Sequence, residues 1–301
     1  MKTKRIFSFI FYISSIYFLN GCKEESTSSN NEHVPAYTQI DFEPSVSNDG
    51  LKMLYVHNDL DYDRAGIYLV NFSQQVDSQF ISGFVRCPDW SPDNKWIVYN
   101  LDNSVYKVKP NGDSQTVLAN EGKNLFPKWS NDGNKIAYSN TECGGPAPCG
   151  VWVMNKDGGD KVLIENGANY PEWTDNGNTL IYLKPVKDAT GNIIGDSLFQ
   201  YTLSNNSRNL LTVLTGENHK FNYYLNYSSG EIIFCSTSTG GYTYVYKRIS
   251  NGLIIKLTNT QGWSPNISAA NNKIIYTNRN PGNGRLWIMN IDGSNPQQLT
   301  Y

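Results

Sequence analysis

The sequence predicts an all-β protein, a six-bladed β-propeller whose blades each contain four antiparallel strands. A strand–turn–strand pattern ending in Tyr or Phe recurs six times, at spacings of 44, 39, 44, 52 and 42 residues. Each copy is followed by two more strand-like stretches joined by a tight turn. No segment shows sustained helical periodicity. A strand-rich repeat of about 40–45 residues is typical of propeller blades, which must stack to bury their faces.

The first half of each repeat predicts two strands, A and B. Its clearest copy runs from Pro127 to Tyr138, with an Asp-Gly turn between the strands. The closing aromatic residues are Tyr55, Tyr99, Tyr138, Tyr182, Phe234 and Tyr276. Eleven residues before them stand Pro44, Pro88, Pro127, Pro171, Tyr223 and Pro265. Large side chains that recur at fixed offsets indicate packing between blades.

The second half predicts strands C and D. An aliphatic-aromatic pair opens strand C, as in Val151-Trp152 and Leu286-Trp287. Five residues beyond the aromatic comes a turn such as Asn111-Gly112 or Asp157-Gly158, which favours a tight hairpin. Strand D should end near Ile81, Leu118, Ile164, Leu211, Leu257 and Leu299.

The first 21 residues have the pattern of a signal peptide. A basic start is followed by a 14-residue apolar run, Ile6–Leu19, which is short for a membrane span. The next residues, Leu19-Asn20-Gly21-Cys22, resemble the lipobox of bacterial lipoproteins, which implies cleavage before Cys22 and its lipidation. The alternatives are an uncleaved anchor and an ordinary secretory signal. Residues 22–36 then form a polar, flexible tether, and 37–301 form the propeller.

This start predicts an outer-membrane lipoprotein, because no Asp follows Cys22; the periplasmic and the surface-exposed face stay open. The remaining chain has 22 basic and 27 acidic residues, so its net charge is near −5. The basic residues are scattered. This argues against a nucleic-acid partner, and we expect a monomeric propeller.

Four further cysteines remain after Cys22. Cys143 and Cys149 lie in one Gly/Pro-rich loop, and an oxidising envelope compartment favours a disulfide between them over free thiols or a metal site. Cys87 and Cys235 sit beside strand patterns and are expected to be small buried residues.

The repeat resembles the TolB-like, WD40-like propeller repeat, Pro-x-Trp-Ser-x-Asp-Gly-x-x-Ile-x-Tyr followed by Ile-Tyr-x-Met-Asn-x-Asp-Gly. The match is closest in Pro127–Asp160 and Leu286–Asn295, and blade five departs most, with Tyr223 for Pro. The resemblance implies a propeller that binds envelope partners. The chain has no room for the N-terminal α/β domain of the TolB family, so a role in the Tol–Pal system is not implied.

The two faces of such a ring should differ. The A–B and C–D turns, short and repetitive, lie on one face, named here the turn face. The B–C loops and D–A crossings lie on the other, the loop face, where the variable segments are Val56–Gly66, Asn140–Gly150, Lys184–Asp196, Ser236–Thr243 and Asn278–Arg285. Variable loops on a rigid scaffold are common binding sites. Candidate ligand-binding residues at the channel mouth are Arg86, Asp89, Lys128, Tyr170, Glu172, His219, Tyr223 and Trp263.

Motifs for catalysis and cofactors are absent from the sequence. It has no Gly-x-Ser-x-Gly elbow, P-loop or Gly-x-Gly-x-x-Gly, and only three histidines. Asp59, Asp61 and Asp63 resemble the start of a calcium loop, but Arg64 and Val70 stand where such a loop has Gly and Glu. The sequence therefore predicts no cofactor and an anchored binding or scaffold protein with an envelope protein or a glycan as partner. The alternative is a carbohydrate-binding protein or a polysaccharide lyase or hydrolase acting at the channel.

Overall fold

The computed structural model describes residues 39–73, 76–174, 177–215, 220–237, 241–279 and 284–300, with the backbone alone at 76, 215 and 220–224. The signal segment, Cys22 and the tether lie outside these residues. The described residues form β-strands and no helix. Accordingly, no helix in this part of the chain has the length and apolarity needed to cross a membrane.

Six sheets of four antiparallel strands, each in chain order, form the blades, which confirms the predicted six-bladed propeller. Blades one and two contain β1 Gln39–Val46, β2 Lys52–Asp59, β3 Gly66–Asn71, β4 Val76–Ser82, β5 Val85–Trp90, β6 Ile97–Leu101, β7 Ser104–Val108 and β8 Thr116–Ala119. Blades three and four contain β9 Asn124–Trp129, β10 Lys135–Asn140, β11 Gly150–Asn155, β12 Val162–Asn166, β13 Asn169–Trp173, β14 Thr179–Lys187, β15 Ile193–Thr202 and β16 Ser207–Thr215. Blades five and six contain β17 Lys220–Ser228, β18 Glu231–Thr237, β19 Thr243–Arg248, β20 Ile254–Lys256, β21 Gly262–Ser268, β22 Lys273–Asn278, β23 Arg285–Asn290 and β24 Gln297–Gln298.

The repeated aromatic residues fill the spaces between blades. Tyr99, Tyr182, Phe234 and Tyr276 are fully buried. One core cluster joins Leu54 of blade one to Tyr99 and other residues of blade two. Blade-to-blade packing therefore buries the sheet faces, as the fixed offsets predicted.

The repeated Ser and Asp build the A–B turn. In blade three the Ser130 hydroxyl donates to Asp132 Oδ1 at 2.6 Å and accepts from Lys135 N at 2.8 Å. Gly133 adopts φ of +72°, which favours glycine. These residues close the hairpin between strands A and B. The Ser and Asp recur along the chain because the A–B turns that contain them use them for this purpose.

Every inner strand contains a β-bulge. The pairing of strands A and B shifts register at the repeat proline, and blade five shifts at the same place without a proline. The residue before the proline has a left-handed backbone at Glu43, Cys87, Phe126, Tyr170 and Ser264, with φ between 47° and 57°. A bulge redirects side chains, and all five of these residues line the central channel.

Each blade takes its four strands in chain order, and blades one and six close the ring through packing, side-chain hydrogen bonds and a short parallel β-bridge between Ile40 and Gly284. Asp41 is central: its N–H donates to Gly284 O at 3.0 Å, and its carboxylate accepts from Thr300 Oγ1 at 2.6 Å. Met53 and Tyr55 of blade one pack against Ile275 and Leu286 of blade six in one core cluster.

The predicted loop Lys184–Asp196 is mostly strand, which corrects that expectation. β14 and β15 continue pairing as far as Lys187 and Ile193. Asp188 closes the short turn between them by accepting from the backbone N–H groups of Thr190 and Asn192. The loop face of blade four is therefore a projecting hairpin, in which β14 and β15 stay paired through a register shift between Val186 and Lys187.

The contacts of Asp41, where blades one and six meet, predict that the free energy of unfolding depends on pH. His57 Nδ1 lies 2.6 Å from Asp41 Oδ1, and this hydrogen bond raises the pKa of His57 above its usual 6.5. The folded state thus holds the proton more tightly than the unfolded state, a stabilisation complete below pH 6.5 and lost as the pH rises through the folded pKa. We expect His57→Gln to lower the free energy of unfolding more at about pH 6 than at about pH 9 in urea titrations. An equal loss at both pH values would contradict the assignment.

Candidate functional site: the central channel

The channel is narrow and lined by residues of all six inner strands. Its cavity measures about 40 Å³ and is bordered by Glu43, Cys87, Phe126, Lys128, Tyr170, Asn226, Ser264 and Asn266, among others. Phe126 and Tyr170 occupy part of the cross-section, with ring centroids 4.4 Å apart. A space of this size holds a few water molecules at most.

Three charged side chains from neighbouring blades meet beside the channel cavity, which Lys128 borders. Lys128 Nζ lies 3.6 Å from Asp89 Oδ1 and 3.3 Å from Glu172 Oε2. Burial raises the pKa of Glu172 to about 7 and also raises the pKa of Asp89. Burial alone would lower the pKa of Lys128, but the two carboxylates outweigh it and raise that pKa. Lys128 therefore stays charged as the shared partner of both acids.

A second ion pair lies beside this triplet. Arg86 Nε donates to both carboxylate oxygens of Glu43 at 3.0 Å, and the Arg86 guanidinium lies 4.6 Å from the centre of the Phe42 ring. Cys87 N donates to Glu43 Oε2 at 2.7 Å. Burial raises the pKa of the Cys87 thiol well above its usual value, which makes it a poor nucleophile.

The structure gathers most of the predicted site residues. Lys128 and Tyr170 border the channel cavity, and Arg86, Asp89 and Glu172 lie beside it as ion-pair partners of the lining residues Glu43 and Lys128. Trp263 does not border the channel cavity. It packs under Arg279, whose guanidinium is 3.8 Å from its ring centre. His219 and the side chain of Tyr223 lie outside the described residues.

Four lining residues were not predicted from the sequence: Glu43, Phe126, Asn226 and Asn266. Glu43 and Phe126 each precede a repeat proline, at the position of the bulge. The residue before the proline differs from blade to blade. This variation within the inner strand was the sequence feature that could have identified Glu43 and Phe126.

The other predicted features lie on the loop face. A disulfide joins Cys143 and Cys149, and Asn140 Nδ2 donates to Ala147 O at 3.2 Å within the same loop. Asp59 accepts from Gln39 Nε2 at 3.0 Å and from Asp61 N at 2.8 Å. In the described part of the chain, no group of three or more His, Cys, Asp or Glu residues is arranged to hold a metal ion. Of the other cysteines, Cys235 is buried as expected, whereas Cys87 borders the channel.

This arrangement suits mutual neutralisation better than catalysis. Each of the channel carboxylates Glu43, Asp89 and Glu172 has a cationic partner within 4 Å. The cavity beside them measures about 40 Å³, which is small for a sugar ring. The alternative of glycan cleavage in the channel therefore gains no support from the geometry.

Glu172 gives a second pH-dependent prediction. Because its pKa is about 7 in the folded protein and 4.5 in the reference state, the folded protein holds the proton more tightly, and stability falls as the pH rises between these values. We expect Glu172→Gln to gain stability relative to the wild type between about pH 5 and pH 8, as measured by urea unfolding. A difference between the two proteins that does not change with pH would contradict this.

No family model matches the chain. A stretch of 112 residues is 27% identical to a TolB homologue of Chlorobium luteolum, covering 36% of this chain and 25% of that protein. The chain thus spans about a quarter of this curated relative.

Solved structures match over most of the chain. The structure of putative TolB from Agrobacterium tumefaciens has a TM-score of 0.64 and 19% identity, over 76% of this chain and 86% of that one. TolB from Acinetobacter baumannii has a TM-score of 0.64 and 18% identity, over 90% and 66%. The propeller domain of the Trilobed protease from Pyrococcus furiosus, described as having an open velcro topology, has a TM-score of 0.55 and 12% identity, over 87% and 81%. The chain therefore resembles TolB proteins in its repeat sequence and shares their propeller fold.

Proposed function

We propose that this protein is a lipid-anchored binding or scaffold protein of the cell envelope, and that a protein partner docks on the loop face. The observation that carries the proposal is an exposed apolar cluster at the junction of blades one and two. Leu60 is 82% exposed, and Tyr62 and Phe84 are each 56% exposed. The two aromatic rings meet edge to face with centroids 5.2 Å apart.

This cluster has the composition of a binding hot spot. Aromatic side chains surrounded by charged residues are typical of protein interfaces. Here Arg64 and Asp61 flank the cluster and pair with each other at 3.3 Å. A monomer that keeps large apolar side chains in water at one place most often uses them for binding.

The loop face carries more exposed apolar side chains than the turn face. Besides the cluster, it exposes Ile193 and Ile194 on the blade-four hairpin and Tyr242 in blade five. The described residues of the turn face expose Leu51 and Leu253, and the outer strands expose Val117, Val162, Leu210, Val213 and Ile255. This asymmetry supports the loop face as the docking side and matches the variation among the B–C loops.

The envelope location rests on two supports. The lipobox-like Leu19-Asn20-Gly21-Cys22 favours lipidation and, with no Asp after Cys22, the outer membrane. The resemblance to TolB proteins favours an envelope role.

Photo-crosslinking in intact cells tests the docking face. We expect a benzoylphenylalanine at Tyr62 to give a discrete covalent protein adduct, because the partner would cover this ring. The matched control is the same residue at Leu253, which is equally exposed on the turn face. Equal yields of one adduct at both positions, or no adduct at Tyr62, would refute docking on the loop face.

The anchor has its own test. Because the lipid would attach at Cys22, we expect Cys22→Ala to abolish labelling by radioactive palmitate and to move the protein from the membrane to the soluble fraction. The full signal must be kept, and Cys87→Ala serves as the cysteine control. A Cys22→Ala protein that stays in the membrane would favour an uncleaved anchor instead.

A further inference from the structure

The outer strand of blade four is longer than its counterparts. In blades one to four, strands C and D pair through a register shift at the same repeat position. Beyond this shift, toward the loop face, strand D pairs through one or two further residues in blades one to three. In blade four it pairs through four, Thr212–Thr215, named here the β16 extension. The extension forms a third strand beside the projecting hairpin of β14 and β15.

The outer edge of the β16 extension is open. β16 is the last strand of its sheet. In the described part of the chain, Thr212, Val213 and Leu214 make no hydrogen bond outside this sheet. Contact with blade five comes one residue earlier, where Arg248 Nη2 donates to the Leu211 carbonyl at 3.3 Å. A row of free backbone donors and acceptors at a strand edge is a template for another strand.

The opposite edge of the same projection is blocked. β13 pairs with β14 only as far as Leu183, so the next four residues, Lys184–Lys187, also face away from any strand described here. That stretch contains Pro185, which has no N–H to donate, between two lysines. Proline and lysine are the residues with which proteins commonly prevent pairing at an edge. The β16 extension, Thr-Val-Leu-Thr, contains neither, so one edge is blocked and the other is available.

Two exposed aliphatic side chains lie on one face of β16. Val213 pairs with Ser197 of β15. Leu210 pairs with Phe199, two residues further along β15, so the two side chains point to the same face. Val213 is 42% and Leu210 is 55% exposed. A strand added at this edge would cover them with alternate side chains of its own.

The same face continues into a site of excess positive charge. Arg208 pairs with Tyr201, again two residues further along β15. Arg208 Nη1 lies 2.8 Å from Glu165 Oε2, and Lys184 binds the other oxygen of the same carboxylate. Two cations thus share one anion. The Arg208 side chain is 48% exposed, so a carboxylate from outside can reach it.

We propose that blade four binds an extended segment of a partner protein as a fifth, antiparallel strand along β16. The partner backbone pairs with the β16 extension, two aliphatic side chains cover Val213 and Leu210, and an acidic side chain faces Arg208. A second copy of this chain is the less suitable occupant, because it brings another cationic cluster instead of the carboxylate. The site is separate from the apolar cluster at Tyr62 and does not depend on docking there.

The test uses a fluorescein-labelled peptide amide, Thr-Val-Thr-Val-Thr-Glu-Thr, whose valines and glutamate match the three positions in antiparallel register. In anisotropy titrations of the full mature chain we expect saturable binding. Val213→Lys should weaken it about tenfold, because a lysine at an edge opposes strand addition. The matched control is Val117→Lys on β8, since Val117 is 44% exposed on the outer strand of blade two. It should leave binding unchanged, as should Tyr62→Lys.

Modified peptides test strand addition on the unmodified protein, so the result does not rest on the folding of a variant. Methylation of the backbone nitrogens of both valines keeps the side chains but removes two donors, and should weaken binding about tenfold. Replacing the glutamate by lysine should weaken it about fivefold, and less at 1 M salt. No saturable binding, equal binding of the methylated peptide, or equal loss with Val117→Lys would each overturn the proposal. A dimer in sedimentation experiments that Val213→Lys dissociates would assign the edge to a second copy instead.

Discussion

The inner strand of each blade has an unpaired edge toward the channel, and the rest of the structure depends on how that edge is satisfied. Unpaired backbone groups in a confined space are costly. The ring solves this between blades: Trp129 N donates to Asp89 Oδ2 at 2.8 Å, and Ile267 N donates to Asn226 Oδ1 at 3.2 Å. Side chains of one blade thus cap the backbone of the next. The bulge before each proline assists by turning side chains toward the channel.

The need to satisfy this edge gives the charged residues beside the channel a structural role. Asp89 caps the backbone of blade three and also pairs with Lys128, which in turn pairs with Glu172. The same groups that suggest a ligand site in the sequence are used to hold three blades together. A channel filled in this way leaves little room for a ligand, so binding is better sought at the rim, where the loop face carries exposed apolar side chains.

The period of the repeat was enough to predict the blades, the order of their strands and the buried aromatic residues. It was not enough to predict the bulge, because the register shift also occurs in blade five, where no proline is present. The projecting hairpin at Lys184–Asp196 was not predicted, for a related reason. Apolar and polar residues do not alternate regularly in this segment. Its pairing continues from the rest of β14 and β15, which the local sequence does not indicate. Of the candidate site, the charged triplet was predictable, whereas Glu43 was hidden at a position treated as scaffold.

Six blades in one chain provide an internal comparison, and the structure shows how to use it. Departure from the repeat is not sufficient evidence of function: Asp89, Lys128 and Glu172 differ at one offset, yet they satisfy one another. The departure at Trp96, a position where three other blades carry lysine, also has a structural role, because its ring packs against the core cluster that contains Trp129 and Tyr138. A departure whose polar groups are mutually satisfied indicates assembly of the ring.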